Sequence, residues 1–193
     1  ASIRKTTTQT LTGIARLNKT VQQTLTGKAR IKPTSSDIYK GQSKTGRSAT
    51  SPLSIALDSP PQPGNMLAAI IYTHGTGTPA ISGITTTGNT WVKAVDQADG
   101  TVANVSIWYA ANCTANNDTV ITASGTISSI EAILVEYVGL VPSFPLDVTS
   151  TKAGVNSTHP SAVAPVTTNY ANEVWVSGFG SYRADNPVGS VGW

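Results

Sequence analysis

Apolar and polar residues alternate with the period of a β-strand through much of the chain after residue 52. In Val102–Ala110, for example, Ile107 and Tyr109 fall on one face of an extended strand, and Ser106 and Trp108 fall on the other. Six further segments have strand-like patterns: Leu53–Leu57, Met66–Tyr72, Thr90–Val95, Thr119–Ala123, Ile130–Val138 and Glu173–Phe179. Turn residues, such as Pro60–Asn65 and Gly88-Asn89, separate these segments.

No segment offers a convincing apolar stripe of 3.6-residue period with helix caps, so the pattern predicts an all-β fold. Seven or eight strands at this spacing are typical of a β-sandwich, either jelly-roll or immunoglobulin-like, over residues 53–193. The last strand pattern is followed by a loop-like stretch, Gly189–Trp193. We therefore expect that the sheet is incomplete at its C-terminus, or that another chain supplies its last strand.

Residues 1–31 contain a repeat of period 14, in which Lys5–Leu17 recurs as Lys19–Ile31. Both copies keep the pattern Thr-Leu-Thr-Gly-x-Ala-Arg-Leu/Ile, and the β-branched threonines favour extended chain over helix. Two units are too short to bury a face alone, so we expect this arm to be ordered only against other chains or its own domain. The residues predicted to mediate assembly are Leu11, Gly13, Ile14, Arg16, Leu17, Leu25, Gly27, Arg30 and Ile31.

Residues 32–52 are rich in Ser, Lys, Gly and Thr and predict a linker.

Charge is divided sharply along the chain. Residues 1–48 hold ten of the thirteen basic residues and one acidic residue, a net charge of about +9, whereas residues 49–193 carry about −6. Opposite charges attract within or between copies, so we hypothesise that the arm of one copy adds as a β-strand to the domain of a neighbour. No aromatic residue precedes Tyr39, so we expect no nucleic-acid partner.

The residues that carry chemistry form no catalytic pattern. His74 and His159 lack a metal-binding spacing, and the Gly-x-Ser-x-Gly motif is absent. Glu131 and Glu136 are five positions apart, so on one strand they point to opposite faces. The single cysteine, Cys113, follows an apolar strand and is expected to be buried and inert. We therefore expect no enzyme activity, no cofactor and no tight metal site.

One weaker alternative stays open for a polar loop. Asp96–Asp99 has the residues of an Asx turn, but clustered carboxylates of this kind also bind calcium.

The chain has no apolar run of about 18 residues, so we expect no membrane insertion.

Aromatic residues are the candidates for ligand binding, since they stack on sugar rings. Trp91, Trp108 and Trp175 lie inside strand patterns and are expected in the core. Trp193 is then the exposed tryptophan, and with Tyr182 it is our candidate for glycan binding.

The tandem Thr-Leu-Thr-Gly-x-Ala-Arg-Ile units resemble short β repeats of phage tail fibres and related bacterial surface proteins. Residues 50–180 also resemble a β-sandwich module of secreted and virion proteins. The motifs that carry this second resemblance are Pro63–Leu67, Gly88–Trp91, Val105–Ala110, Val135–Gly139 and Pro145–Asp147. The resemblance implies an appendage or filament subunit on the virion surface or outside the cell. It implies no catalytic residue, and in that module further strands follow the Glu173–Phe179 segment.

Together these features predict a non-enzymatic structural and adhesive subunit that assembles with copies of itself and that binds, in its adhesive role, a cell-surface glycan. The alternative is a secreted carbohydrate-binding module, which glycan binding lost on Trp193→Ala would support. A hydrolase is the third class, and an activity abolished by His74→Ala would revive it.

Overall fold

The computed structural model describes residues 38–140, 143, 145–152, 165–169, 173–181 and 188–190. All regular structure in these residues is β-strand, so they confirm the all-β class. The strands are β1 (Tyr39–Ser48), β2 (Leu53–Ile55), β3 (Met66–Thr85), β4 (Val92–Ala98), β5 (Ala103–Ala110), β6 (Thr119–Val138), β7 (Phe179–Ser181) and β8 (Val188–Ser190).

Six of these strands form one antiparallel sheet in the order β1-β6-β3-β5-β4, and β2 pairs with the first residues of β6. Strands β7 and β8 form a separate antiparallel pair. The two central strands, β3 and β6, are 20 residues long each and pair over nearly their whole length. The two patterns Thr119–Ala123 and Ile130–Val138 are therefore parts of one strand.

The central strand β3 is buried on both faces in its first half, Met66–Tyr72. Leu67, Ala69 and Ile71 belong to one apolar cluster, and the alternate residues Met66, Ala68 and Ile70 belong to another. We call these two sides of the sheet the first face and the second face. A central strand that is buried on both faces has an apolar sequence throughout. For this reason apolar and polar residues do not alternate in Met66–Tyr72.

Both long strands are irregular near their middle. The pairing of β3 with β6 shifts between Thr76 and Ala80, where Gly77 and Thr78 have positive φ angles of 73° and 57°. Gly75 must be a glycine, since a Cβ atom there would lie 1.9 Å from the carbonyl oxygen of Thr126. This part of β3 is therefore a bulge inside one long strand.

Beyond the bulge, β3 and β6 pair from Ala80↔Ser124 to Thr85↔Val120, and we call these parts the far halves of the two strands. The far halves fold back over the first face. Gly46 of β1 pairs with Ala132 in the near half of β6, and yet a Cβ on Gly46 would lie 3.1 Å from the side chain of Ile55. Ile55 itself pairs with Thr119, at the far end of β6. The main core therefore lies between two parts of the same sheet: it includes Leu53, Ile55, Ile81, Ile84 and Ile121 from the far part, and Leu67, Ile71, Ile130 and Leu134 from the near part. Each fully buried Leu or Ile side chain contributes about 2 kcal/mol to stability.

The structure corrects the predicted linker. Tyr39–Ser48 lies within residues 32–52 and forms β1, which pairs with β6 from Tyr39↔Val138 to Ser48↔Ile130. The segment is polar on both sides because it is an edge strand with few buried positions. Polarity alone therefore gave no sign that this segment belongs to the sheet.

The structure also corrects the last predicted strand. Of Glu173–Phe179, only Phe179 belongs to a strand, as the first residue of β7. The remaining residues nevertheless alternate between inner and outer positions, with Val174 and Val176 packed against the second face.

Candidate functional site

The predicted site residues lie outside the described part of the chain. This holds for all nine arm residues proposed for assembly and for both glycan-binding candidates, Tyr182 and Trp193. What the structure does place is the surface on which such an arm or ligand could act.

The strand that follows the arm, β1, lies at the edge of the sheet. It pairs with β6 on one side and is largely exposed. Side chains anchor it to the turn before β3: Lys44 lies 2.6 Å from Asp58, and Gln42 exchanges hydrogen bonds with Ser59. The chain therefore enters this domain along an exposed edge.

Glu136 holds β1, β6 and the Pro60–Asn65 turn together. Its carboxylate is buried, with 3% of the residue exposed, and accepts hydrogen bonds from the Gln42 side chain at 2.7 Å, the Gln62 backbone at 2.7 Å and the Asn65 side chain at 2.6 Å. Hydrogen bonds to a charged group contribute about 1.5–3 kcal/mol each, and losing one partner leaves a buried group unsatisfied. These three donors make Glu136 a structural residue, and the sequence analysis missed this role.

Glu131 lies on the opposite face of β6, as the five-residue spacing predicts. It is paired with Arg47 of β1 at 3.3 Å and accepts a hydrogen bond from Ser129. The two carboxylates thus occupy different surroundings and do not act as a pair.

Cys113 is buried, as predicted, with 2% of the residue exposed. Its Sγ atom donates to the Gln62 carbonyl at 3.3 Å. Burial, together with the nearby charge of Glu136, raises the pKa of the thiol to about 11. The thiol is therefore protonated at neutral pH and is a poor nucleophile.

Of the two aspartates predicted in one turn, Asp96 lies in β4 and Asp99 lies in the turn after it, and both carboxylates bond within their own chain. Lys93 contacts Asp96 at 2.9 Å, and Asp99 accepts hydrogen bonds from the backbones of Val102 and Ala103. These bonds reach three and four residues along the chain, whereas the predicted Asx turn would reach two, and they satisfy the carboxylate locally. No group of three His, Cys, Asp or Glu side chains that could hold a metal ion occurs among the described residues.

A groove of about 290 Å³ runs along the far edge of the sheet, between residues 54–56 and 117–120. Its polar groups are already bonded, since the Asn117 side chain binds both backbone groups of Leu57. Asp118 accepts hydrogen bonds from the side chain and backbone of Thr87, which lower the pKa of its carboxyl group. The groove therefore offers little for a polar ligand to bind.

The second face of the sheet is covered by one extended stretch, Glu173–Ser181, which we call the cover segment. Its inner residues pack closely: a Cβ atom on Gly178 would lie 2.5 Å from Ile70, and one on Gly180 would lie 2.3 Å from Tyr72. Only glycine fits at these two positions without displacing the buried side chains beneath.

The outer side of the cover segment carries two exposed aromatic residues. Trp175 is 68% exposed and Phe179 is 40% exposed. The prediction that Trp175 lies in the core is therefore wrong: Val174 and Val176 point inward, and the period-two rule turns Trp175 outward. Trp108 is buried and Trp91 packs against the core, as predicted.

The backbone of the cover segment is open over Val174–Gly178. No backbone hydrogen bond joins these five residues to any other described residue, whereas Phe179–Ser181 pairs with β8. An extended backbone whose donors and acceptors have no backbone partner among the described residues is a template for another strand. The alternation of Val174 and Val176 with Trp175 and Ser177 was the sequence signal for this arrangement.

The chain matches no protein-family model, and no curated protein or solved structure is significantly similar to it. Among the described residues there is also no α-helix with the length and hydropathy of a membrane span. The functional interpretation therefore depends on the geometry described above.

Proposed function

We propose that this chain is a non-enzymatic structural and adhesive subunit of an extracellular filament or a virion fibre. Copies assemble through the basic repeat arm, which adds as a β-strand to a neighbouring subunit. The observation that carries this proposal is the backbone of Val174–Gly178, which has no backbone hydrogen bond to another described residue although its side chains pack on the sheet. An exposed, unpaired stretch of this kind is the surface to which strand addition occurs.

The packing supports a sandwich architecture for the body. The cover segment and the β7–β8 pair lie over the second face as the beginning of a second layer, while the far halves of β3 and β6 cover the first face. A strand from a neighbour would extend this second layer. Layers on both faces of the sheet support the proposal of a jelly-roll or immunoglobulin-like sandwich.

A non-enzymatic role is supported by how the reactive groups are used. Glu136 accepts three hydrogen bonds, from β1 and from the Pro60–Asn65 turn, and Cys113 is held in its protonated form. Asp99 caps its own turn. These groups stabilise the body.

The second candidate function is binding of a surface polysaccharide, favoured by Trp175 and Phe179 on the outer side of the cover segment. Four residues of extended chain separate their Cα atoms by about 13 Å, a distance over which a linear polysaccharide can span both rings. Loss of glycan binding on Trp175→Ala, with retention on Trp91→Phe, would support this function.

Deleting residues 1–31 tests the assembly function. We expect the full chain to form oligomers or filaments, visible by electron microscopy and by light scattering. The deletion should give monomers that melt at the same temperature. A matched control keeps residues 1–31 at the same length and composition but scrambles their order, and it should also fail to assemble. Unchanged assembly in the deletion would refute the proposal.

A further inference from the structure

The inner side of the cover segment is fixed on the sheet, and its backbone is left open at the side. Val174 and Val176 pack into the apolar cluster of the second face, and Gly178 and Gly180 touch Ile70 and Tyr72. These contacts hold the segment in an extended form. A strand that pairs with it therefore does not bear the entropic cost of ordering the acceptor. The acceptor is therefore preorganised.

The apolar surface beside the cover segment continues toward the β4 edge of the sheet. On the second face, Val92 and Val95 of β4 pair with Tyr109 and Ile107 of β5. Val92 is 43% exposed, and the other three side chains are partly buried. A strand added on this side would cover an apolar track with its inner residues.

The β1 edge of the same face has a different character. There β1 presents Ser43, Thr45 and Arg47, and Arg47 carries a positive charge. An added strand would gain little apolar contact on this side, and Arg47 is already paired with Glu131. The partner strand therefore belongs on the β4 side.

We propose that a repeat unit from the arm of a second copy pairs with Val174–Gly178 on the β4 side of the cover segment. This inference rests on the proposed function and names the acceptor for it. In an extended strand, Leu25, Gly27, Ala29 and Ile31 fall on one side, and Thr24, Thr26, Lys28 and Arg30 fall on the other.

The repeat unit and the cover segment have matching patterns. Both place apolar residues and glycine on one side and polar or larger residues on the other. The apolar side of the repeat, placed inward, covers the track of Val92, Val95 and Ile107. The other side then brings Lys28 and Arg30 beside the exposed rings of Trp175 and Phe179, where a cation over an aromatic ring is favourable.

The charge balance favours contact between arm and body, and the proposed assembly makes the acceptor a second copy. Residues 1–31 carry about +6, whereas the body with β1, residues 38–193, carries about −3. Each arm has two repeat units, Lys5–Leu17 and Lys19–Ile31, whereas the described residues contain one open cover segment. Docking within or between copies pairs one unit of each arm, and docking between copies is the arrangement that extends the assembly.

Disulfide cross-linking between two populations of the full chain tests the inference. One population carries Ser177→Cys, and the other carries a single cysteine in the arm, in turn Thr24→Cys, Leu25→Cys, Thr26→Cys and Ala29→Cys. Ser177 lies on the outer side of the cover segment, so its cysteine should bond the outward positions of a paired strand. Cys113 is buried and does not compete.

We expect cross-links between populations at Thr24→Cys and Thr26→Cys, with yields about fivefold or more above those at Leu25→Cys and Ala29→Cys. A control cysteine at Ser82, an exposed residue of the far half of β3, should give no cross-link to the arm. Uniform yields along the arm would overturn the inference, since they indicate contact without strand pairing.

Two further outcomes separate this inference from the proposed function. If the chains assemble through the arm but Ser177→Cys gives no cross-link, the acceptor is wrong and the assembly function stands. If a chain carrying both cysteines forms its disulfide only within one copy, the arm covers its own body and the inference is likewise overturned. Loss of arm-dependent assembly on Ser177→Pro, with retention on Ser177→Ala, would support the need for a backbone N–H at this position.

Discussion

The two faces of the central sheet are closed in different ways. The first face is covered by the far halves of β3 and β6 and by β2, all of which belong to the same hydrogen-bonded sheet. The second face is covered by the cover segment, which has no lateral hydrogen bonds over Val174–Gly178 among the described residues. The comparison teaches that apolar packing and backbone pairing can be completed separately. The first face has apolar packing and backbone pairing. Among the described residues, the cover of the second face has apolar packing but no backbone pairing over Val174–Gly178.

The largest loss of stability should come from removing a buried side chain on the first face. Leu134 is fully buried there, with 0% exposed, and Leu134→Ala should lower the free energy of unfolding by about 3–4 kcal/mol. Val176→Ala, under the cover segment, should lower it by about 1–2 kcal/mol, because Val176 is only partly buried. Urea unfolding of both variants measures the contrast. Equal losses would show that the second face is as completely packed as the first.

The next effect concerns Glu136, which ties the edge strand to the body. Glu136→Gln should cost about 2–3 kcal/mol, because an amide cannot accept all three hydrogen bonds that the carboxylate accepts. The control Glu131→Gln breaks a partly exposed pair with Arg47 and should cost less than about 1 kcal/mol. Chemical denaturation of the two variants checks the ranking, and similar losses would contradict the role given to Glu136.

A smaller and more local effect is expected from lifting the cover segment. In Gly178→Ala the new methyl group would lie 2.5 Å from Ile70, and we expect a loss of about 1–2 kcal/mol as the segment moves outward. Gly83→Ala is the matched control, because no atom lies within 4 Å of a Cβ there. Tryptophan fluorescence should report a change at Trp175 in the first variant alone, and an unchanged spectrum there would show that the segment is not held against the sheet.

The smallest effect on the fold should be seen at Cys113, whose modification reports opening of the core. Because the pKa of the thiol is raised to about 11, its thiolate fraction at pH 8 is about a hundredfold below that of an ordinary cysteine. Alkylation should therefore be slow in the native chain and rapid in urea. Its rate should keep rising between pH 9 and pH 11, where an ordinary thiol has levelled off. Rapid alkylation at pH 8 without denaturant would contradict the described burial.

Much of the sheet could be predicted from the sequence, because local alternation carries the information. In β5, the assignment of Ile107 and Tyr109 to one face and Trp108 to the other is confirmed by the two core clusters. What the sequence could not provide depends on contacts between distant residues. The partner of β1 lies about 90 residues away in β6, and its polar sequence has no signal for that pairing.

The errors at the candidate site have the same origin. Glu136 is structural because Gln42 and Gln62 reach it from elsewhere in the chain, which its own strand does not reveal. Trp175 was placed in the core because Val-Trp-Val is apolar on both sides, so alternation could not show which side is inward. The arm, Tyr182 and Trp193 lie outside the described residues, and their roles stay predictions.

Hydrogen–deuterium exchange of the full chain, compared between assembled and dissociated samples, tests the central claim most directly. The account predicts that assembly slows exchange of the Val174–Gly178 amides and of the amides in residues 24–30, while β3 and β6 exchange slowly in both samples. If Val174–Gly178 exchanged equally fast in the assembled and dissociated chains, the second face would not be where copies join.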